Sequence, residues 1–324
     1  MAEHLHYPVL YNEIIHALRP RSGGVYVDGT VGAGGHAEGI LHASSPDGLL
    51  FGLDVDPRAI EIAREKLATF GARVIIRQAS YTTIGDQLEA LGWREVNGVL
   101  LDLGVSSMQL DSPERGFSFS KEAPLDMRFN PENPTQAADL VNNLSEQDLS
   151  ELIYRYGDER SARRIAKAIV KARPVETTTR LAEIVSQAVG YRATRSRAKN
   201  GRFEKQEKRQ LHPATRTFQA LRIAVNRELE TLEAGLPNVM RVLAPGGRLA
   251  VIAFHSLEDR IVKDFFRRES KDCICPPRQP VCTCGHHASL VELGRTPIRP
   301  MAKEIYLNPR SRSARLRVAE KLAH

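Results

Sequence analysis

Glycines in residues 28–36 have a spacing that suits the binding of a nucleotide cofactor. The stretch reads Asp-Gly-Thr-Val-Gly-Ala-Gly-Gly-His, and Gly32, Gly34 and Gly35 lie between a short apolar run and a helical pattern. Glycine permits positive φ and close approach of a ligand to the backbone, and the first amides of a helix can bind that ligand. Gly32, Gly34 and Ala37 also satisfy a loose dinucleotide-binding pattern, and a tight turn without a ligand is a further alternative.

Asp28, at the end of the first apolar run, distinguishes between two cofactor classes. A carboxylate here would repel the pyrophosphate of a dinucleotide but attract the cationic aminoacyl group of S-adenosylmethionine. At roughly 4 Å such a pair is worth about 4 kcal/mol at an effective dielectric of 20. The sequence therefore favours S-adenosylmethionine over a nicotinamide cofactor.

Asp54 follows the second apolar run, about 20 residues beyond the glycines, where a carboxylate accepts hydrogen bonds from ribose hydroxyls in both cofactor classes. Asp56 stands before Pro57 and is predicted to cap a helix, which leaves Asp54 for the ligand. Asp54 thus indicates a nucleoside without deciding which one.

Short apolar runs that alternate with helical patterns predict a parallel sheet with crossover helices. The predicted strands are residues 25–27, 49–53, 74–76, 99–101 and 249–253, with closing strands at 304–307 and 316–319. Because ligands bind beyond the carboxyl ends of parallel strands, the loops that leave the first, second and fourth strands should line one pocket.

Roughly 145 residues separate the fourth and fifth predicted strands, far more than an ordinary crossover needs. Helical patterns fill the gap at residues 146–156, 161–172, 179–189 and 214–232. We therefore predict an inserted helical domain for substrate recognition at residues 109–212, between two parts of one sheet domain at residues 1–108 and 213–324.

Several long and unusual motifs occur in order along nearly the whole chain. They are residues 27–30, 34–36, 54–57, 101–111, 115–119, 124–128 and 254–260. Together they closely resemble the bacterial ribosomal RNA small-subunit methyltransferase H family. Their joint appearance is far more specific than a glycine loop alone.

The resemblance implies a class I, Rossmann-like methyltransferase sheet with an inserted helical domain. It implies transfer of a methyl group from S-adenosyl-L-methionine to N4 of a decoding-centre cytidine in 16S rRNA, with the small ribosomal subunit as partner. It leaves the oligomeric state open, a homodimer included. Family cofactor contacts map by motif onto Gly34, Gly35, His36, Asp54, Tyr81, Asp102 and Gln109, with the ring of Tyr81 expected against the adenine. Asp28 joins this cofactor-binding set through its charge at the end of the first strand and not through the resemblance.

The N4 amino group of cytosine is a poor nucleophile because its lone pair is delocalised into the ring. Positioning and hydrogen bonding should therefore carry most of the catalysis. Asp102 is the predicted acceptor of an amino hydrogen, with cofactor contact as its alternative role, and His255 is a candidate proton relay. Phe117, Phe119, Phe254 and His255 are candidates for stacking on the base, and packing is an equal alternative for each.

The basic balance of the chain suits a polyanionic partner such as RNA: 46 Lys and Arg face 39 Asp and Glu, a net charge of +7. A target base inside folded RNA must be unstacked, so the surrounding backbone must also be bound. The densest basic run lies in residues 192–209, with a solvated loop as its alternative reading. A second run comprises Arg310, Arg312, Arg315 and Arg317.

All four cysteines fall in two Cys-x-Cys pairs, followed by two histidines. These residues are Cys273, Cys275, Cys282, Cys284, His286 and His287. They offer enough soft ligands for tetrahedral zinc, but structural zinc sites more often use two to four residues between paired cysteines. The favoured interpretation is a loop of reduced thiols, with zinc as the alternative, so no metal ligand is assigned.

Three other functions fit parts of the pattern: a methyltransferase for another RNA or DNA base, a non-catalytic ribosome-assembly factor, and a dehydrogenase. Identification of the methylated nucleoside would distinguish between these functions.

The first residues lack a secretory pattern, and no apolar run reaches the length of a membrane span, so a cytoplasmic location is expected.

Overall fold

A computed structural model describes residues 8–191, 212–277, 279 and 281–323 of the chain. Its sheet has seven strands in the order β3-β2-β1-β4-β5-β7-β6. The strands are β1 (Val25–Asp28), β2 (Leu49–Asp54), β3 (Val74–Gln78), β4 (Val96–Asp102), β5 (Leu243–Ala253), β6 (Leu290–Glu292) and β7 (Arg315–Lys321). β1 to β5 are parallel to one another, and β7 runs antiparallel to both β5 and β6.

Thirteen α-helices are assigned within the described residues. They are α1 (Tyr11–Leu18), α2 (Gly35–Ala43), α3 (Pro57–Leu67), α4 (Ile84–Glu89), α5 (Ser107–Asp111), α6 (Ala137–Asn143), α7 (Glu146–Gly157), α8 (Ala162–Lys171), α9 (Thr178–Ala188), α10 (Ala214–Asn226), α11 (Glu228–Val242), α12 (Ser256–Glu269) and α13 (Ala302–Leu307). In this part of the chain none of them is long and apolar enough to cross a bilayer.

The central strands are buried on both faces, which explains why they read as continuous apolar runs rather than as alternating ones. Along β4, Val99 and Leu101 belong to one hydrophobic cluster while Leu100 belongs to the other. Residues of α1, α2 and α3 complete the cluster of Leu100, and residues of α4, α11 and α12 complete that of Val99 and Leu101. The predicted Rossmann-like α/β sheet is therefore confirmed.

The chain divides into two compact units. The first combines Met1–Gly104 with Leu229–His324 and holds the sheet, and the second is the helical unit Val105–Glu228. The sequence predicts residues 213–324 as the second part of the sheet domain, but α10 packs on α6, α7 and α9 and so belongs to the helical unit. Residues 105–108, assigned to the first part of the sheet domain, also fall in the helical unit.

Two predicted elements are wrong. The strand expected at residues 304–307 lies in α13, because a short apolar run does not distinguish a helix from a strand. β6 and not this segment lies beside β7. The single helix expected at residues 214–232 is two helices, α10 and α11, because Arg227 takes a left-handed φ of 49° between them.

Candidate active site

Three acidic residues end three neighbouring parallel strands. Asp28 ends β1, Asp54 ends β2 and Asp102 ends β4. The register pairs Asp28 with Gly52 and with Leu100, and Asp102 with Ile252 of β5. The carboxylates therefore share the edge of the sheet where ligands of open α/β folds bind.

The glycine loop after β1 folds back on β2. Val31 N donates to Leu53 O at 2.8 Å and Gly34 N donates to Val31 O at 2.8 Å. Gly32 has φ +50° and Gly34 has φ +80°, both in the left-handed region that favours glycine. At position 34 a Cβ would also lie 3.2 Å from Leu67 Cδ1 on α3. Both glycines are thus required by the shape of the loop.

Gly35 has a packing reason to be glycine. It begins α2, and a Cβ at this position would lie 2.5 Å from Cγ of Pro8. The predicted cofactor contact of Gly35 stays a prediction, since its backbone amide and not its missing side chain would make that contact.

The carboxylate of Asp54 is held by the backbone on both sides. Gly32 N donates to Oδ2 and Asp56 N donates to Oδ1, each at 2.9 Å. Burial nevertheless raises the pKa of Asp54 to about 6. The predicted helix cap is confirmed at Asp56, which accepts a hydrogen bond from Arg58 N at 3.1 Å at the start of α3.

Asp28 is almost fully buried, with 1% of its surface exposed. Burial raises the pKa of its carboxyl to about 7, and the nearby carboxylates of Asp102 and Asp54 add to that effect. Thr30 connects the two strand ends: Thr30 N donates to Asp28 Oδ1 at 3.1 Å, and Thr30 Oγ1 accepts from Asp102 N at 2.7 Å. Sequence reasoning did not single out Thr30.

His36, in the first turn of α2, directs a buried imidazole at Asp102. His36 is 6% exposed, and its Nε2 lies 3.5 Å from Asp102 Oδ2. Among the described residues, neither ring nitrogen of His36 nor Oδ1 of Asp102 has a hydrogen-bond partner. Such buried polar atoms cost free energy unless something satisfies them. The ring also stacks on Tyr11, with 6.3 Å between the ring centroids, a contact that the sequence did not indicate.

Tyr81 starts the 3-10 turn after β3 and belongs to the core below the strand ends. Its ring packs closely on Gly235 of α11, where a Cβ would overlap the ring carbon Cε2. The residue is 8% exposed. Tyr81 is therefore a packed core residue here, and its expected contact with the adenine stays a prediction.

His255 lies two residues beyond β5 and caps α12. Its Nδ1 accepts from Glu258 N at 3.4 Å, and Glu258 Oε2 accepts in return from Phe254 N at 2.9 Å and from His255 N at 3.2 Å. The motif that drew attention to His255 thus contains a reciprocal helix cap. Its role as a proton relay stays a prediction.

Gln109 lies in the helical unit and has a capping role there. It is 6% exposed, its Oε1 accepts from Ser106 N at 3.0 Å, and its own N donates to Ser106 Oγ at 3.2 Å. These two bonds form the capping box of α5. The predicted cofactor contact of Gln109 stays a prediction.

The aromatic candidates for base stacking are engaged in packing. Phe117 stacks on Phe129 with 5.6 Å between centroids, and Phe119 packs on Phe218 at 4.9 Å, all within the helical unit. Phe254, in the sheet unit, packs against the core cluster that contains Leu100. The packing interpretation is favoured for all three phenylalanines.

Of the two basic runs that the sequence predicts to bind RNA, only the second lies within the described residues. Residues 192–209 lie outside the described residues. In the second run, Arg310 and Arg312 are exposed, whereas Arg315 and Arg317 donate to the carboxylate of Asp259. Half of that predicted RNA-binding run therefore holds an ion pair inside the sheet unit.

Comparison with known proteins identifies the family. The model of the MraW methylase family matches residues 3–322. A protein of Geobacter sulfurreducens named ribosomal RNA small subunit methyltransferase H is 52% identical over 98% of this chain and 99% of its own length. A protein of the same name from Dehalococcoides mccartyi is 50% identical over 99% of this chain and 88% of its own length.

Among solved structures, an rRNA methylase from Streptococcus thermophilus is 10% identical over 97% of this chain and 94% of that chain, with a TM-score of 0.40. The family model spans almost the whole sequence, and so do the two relatives, which are 50% and 52% identical to it. On that basis the chain belongs to the MraW methylase family.

Proposed function

We propose that this protein transfers the methyl group of S-adenosyl-L-methionine to N4 of a decoding-centre cytidine in the 16S rRNA of the small ribosomal subunit. Family membership and the names of the half-identical relatives support methylation of small-subunit rRNA. The observation that carries the proposal is the acidic edge of the sheet, where Asp28, Asp54 and Asp102 end adjacent strands around His36.

The electrostatics of this edge favour a cationic ligand. Burial raises the pKa of Asp28 to about 7 and that of Asp54 to about 6. Neighbouring carboxylates add to both shifts, and the opposing charge of His36 beside Asp28 is too small to cancel them. A sulfonium and an ammonium group would supply the missing positive charge, whereas a pyrophosphate would increase the repulsion. The pocket therefore suits S-adenosylmethionine better than a dinucleotide.

The residues present fit the proposed cofactor. Buried polar atoms of His36 and Asp102 have no partner among the described residues, and the loop ending at Gly34 brings the first amides of α2 to the strand ends. We assign the ribose hydroxyls to Asp54 and the amino-acid portion to the edge around Asp28. The bound cofactor supplies an electrophilic methyl group on its sulfonium.

Asp102 is the residue that we place at the reacting amino group. Its Oδ2 faces His36 at 3.5 Å, so the imidazole can orient the carboxylate while Oδ1 accepts a hydrogen of the amino group. That hydrogen bond localises the nitrogen lone pair on N4. With the cofactor bound, methyl transfer would form one N–C bond, break the S–C bond of the sulfonium and release one proton from N4. His255 is our candidate for receiving that proton.

The test supplies labelled S-adenosylmethionine with naked 16S RNA, small ribosomal subunits or DNA, and identifies the labelled nucleoside after digestion. We expect N4-methylcytidine in the ribosomal RNA. Label in another nucleoside, or in DNA, would overturn the substrate assignment. Cofactor binding without any turnover on these substrates would favour the assembly-factor alternative.

Variants of Asp102 test its role. Asp102→Asn should lower kcat by about 10²–10³-fold, the usual loss when one stabilising hydrogen-bonding group is removed. The dissociation constant of the cofactor should change much less. Asp264→Asn, which alters an exposed carboxylate on α12, is the matched control and should leave kcat unchanged. Equal loss of cofactor binding and kcat would assign Asp102 to the cofactor instead.

A further inference from the structure

The four cysteines of the chain converge in the segment between α12 and β6. The sulfur of Cys273 lies 3.5 Å from that of Cys282 and 3.8 Å from that of Cys284, and those of Cys282 and Cys284 are 3.6 Å apart. Together with Cys275 they form a group whose ligand atoms all lie within 4.8 Å of one another. We infer that these four cysteines bind one zinc ion as thiolates.

The separations among the sulfurs of Cys273, Cys282 and Cys284 match a tetrahedral site, and the sulfur of Cys275 lies within 4.8 Å of all three. With Zn–S bonds of about 2.3 Å, tetrahedral geometry puts neighbouring sulfurs about 3.8 Å apart. A disulfide would bring two sulfurs to about 2.05 Å, and all four cysteines are free. A cluster of several irons would hold its thiolates farther apart, because they bind different metal atoms. The spacing therefore selects a single tetrahedral ion.

The ligand set consists of cysteine alone. His286, which the sequence offered as a further ligand, directs its Nε2 to Arg268 O at 3.1 Å. Within the first Cys-x-Cys pair, Cys275 N donates to Cys273 Sγ at 3.4 Å, a hydrogen bond that favours an anionic sulfur. Zinc prefers such soft thiolate ligands in structural sites, which are closed by four protein ligands.

The surroundings indicate what the ion does. Between Glu269 and Leu290 the described residues form neither helix nor strand, and Ile274 and Val281 are 40% and 70% exposed. Apolar burial therefore does not hold this segment. The two ends of the segment meet where Ser289 N donates to Glu269 O at 2.8 Å. A zinc ion would supply the cross-link that a small hydrophobic core supplies elsewhere.

Binding of zinc exchanges the protons of the thiols for the metal ion and involves no redox chemistry. Each of the four thiols loses one proton as its sulfur bonds to zinc, so the site carries a net charge of −2. The ion stays Zn²⁺ and no oxidant is involved. All four coordination positions are filled by protein, which makes the site structural rather than catalytic.

The direct test is metal analysis of the full-length protein, purified under reducing conditions without chelator. We expect one zinc per chain, released as a mercurial reagent titrates four thiols. The thiol count reports only on this site, since the chain has no other cysteine. Exchange with Co²⁺ should give the visible absorption of tetrahedral cobalt thiolate. Iron in place of zinc, or no stoichiometric metal even after reconstitution with zinc, would overturn the assignment.

Variants separate the ligands from their neighbours. Cys273→Ser combined with Cys284→Ser should abolish zinc binding, while the matched control His287→Ala should keep one zinc per chain. In the unmodified protein, removal of zinc should speed proteolysis within residues 270–289 by at least about tenfold, because local opening becomes easier. Unchanged proteolysis would refute the cross-linking role. Each readout is independent of methyl transfer.

Discussion

Two sets of buried carboxylates in the sheet unit differ in the direction of their pKa shifts. Asp28 and Asp54 accept hydrogen bonds from backbone amides, and burial raises their pKa values to about 7 and about 6. Asp259 on α12 accepts from Arg317 Nε at 2.6 Å and from Arg315 at 3.0 Å. Burial pushes the pKa of Asp259 upward too, but the hydrogen bonds and charges of Arg317 and Arg315 together outweigh it, and the net pKa lies below the ordinary value.

The difference separates a carboxylate that stabilises the fold from carboxylates that are suited to binding a ligand. A carboxylate with two arginines is compensated within the fold and stabilises it in the ionised form. Carboxylates without that compensation cost the fold free energy when they ionise, and such perturbed groups cluster at functional sites. We therefore expect substitutions in the two sets to change stability in opposite directions.

The largest expected effect comes from Arg317→Met. It leaves the buried carboxylate of Asp259 with only the more exposed Arg315, so the free energy of unfolding should fall by about 3–5 kcal/mol at pH 7. Urea unfolding measures this change. Because the folded pKa of Asp259 is depressed, its contribution is present above the ordinary value of 3.8 and is lost as the pH falls through the folded pKa.

A double variant is the control for this pair. Asp259→Leu combined with Arg317→Met removes both charges and should recover most of the lost stability. Additive losses in the double variant would show that packing, not charge compensation, explains the first result.

The next effect has the opposite sign. Asp28→Asn should stabilise the protein by about 3 kcal/mol at pH 8 and hardly at all at pH 4. The pKa of Asp28 is raised in the folded state, so its favourable contribution is complete below 3.8 and is lost as the pH rises to about 7. Thermal unfolding of both proteins across this range measures the effect, without cofactor.

The exposed variant Asp264→Asn should show no such pH dependence. A stability difference between Asp28→Asn and its parent that is the same at pH 4 and pH 8 would contradict the assigned origin of the shift.

A smaller effect is expected for cofactor affinity in Asp54→Asn. The amide of asparagine has one oxygen, so its NH₂ group would face one of the two backbone amides that now donate to Asp54. The penalty for this contact is the same with and without ligand, so the loss of affinity comes from the weaker, neutral acceptor left for the ribose hydroxyls. We expect roughly 30-fold weaker binding of S-adenosylhomocysteine by calorimetry, in line with about 2 kcal/mol for a hydrogen bond to a charged acceptor. Asp56→Asn is the matched control, because asparagine caps a helix equally well. Equal losses in both variants would indicate a distorted loop.

The smallest effect is the pH dependence of cofactor binding. A cationic ligand prefers ionised Asp28 and Asp54, so its affinity should rise about tenfold between pH 5.5 and pH 7.5, where those carboxyls titrate. Calorimetry in buffers of different ionisation enthalpy should detect proton release on binding. Proton uptake would show that the ligand stabilises the neutral carboxyls.

The carboxyl ends of the parallel strands and the helix cap at Asp56 could be predicted from the sequence. Apolar runs and an aspartate before a proline determine local structure directly, without distant partners. The sequence was insufficient where long-range partners decide. The side chains of Arg315 and Arg317 look like free surface cations until Asp259 is placed beside them. The convergence of Cys273 and Cys284 depends on how an irregular loop closes, which spacing alone does not determine.

The close packing of Gly235 on Tyr81 limits how these two positions can change in evolution. Glycine inside α11 costs about 1 kcal/mol relative to alanine, yet a Cβ there would overlap the ring of Tyr81. The two positions should therefore accept substitutions only as a pair. Relatives that keep a tyrosine or phenylalanine at position 81 should keep glycine at 235, and lineages with a small residue at 81 should be free to replace the glycine.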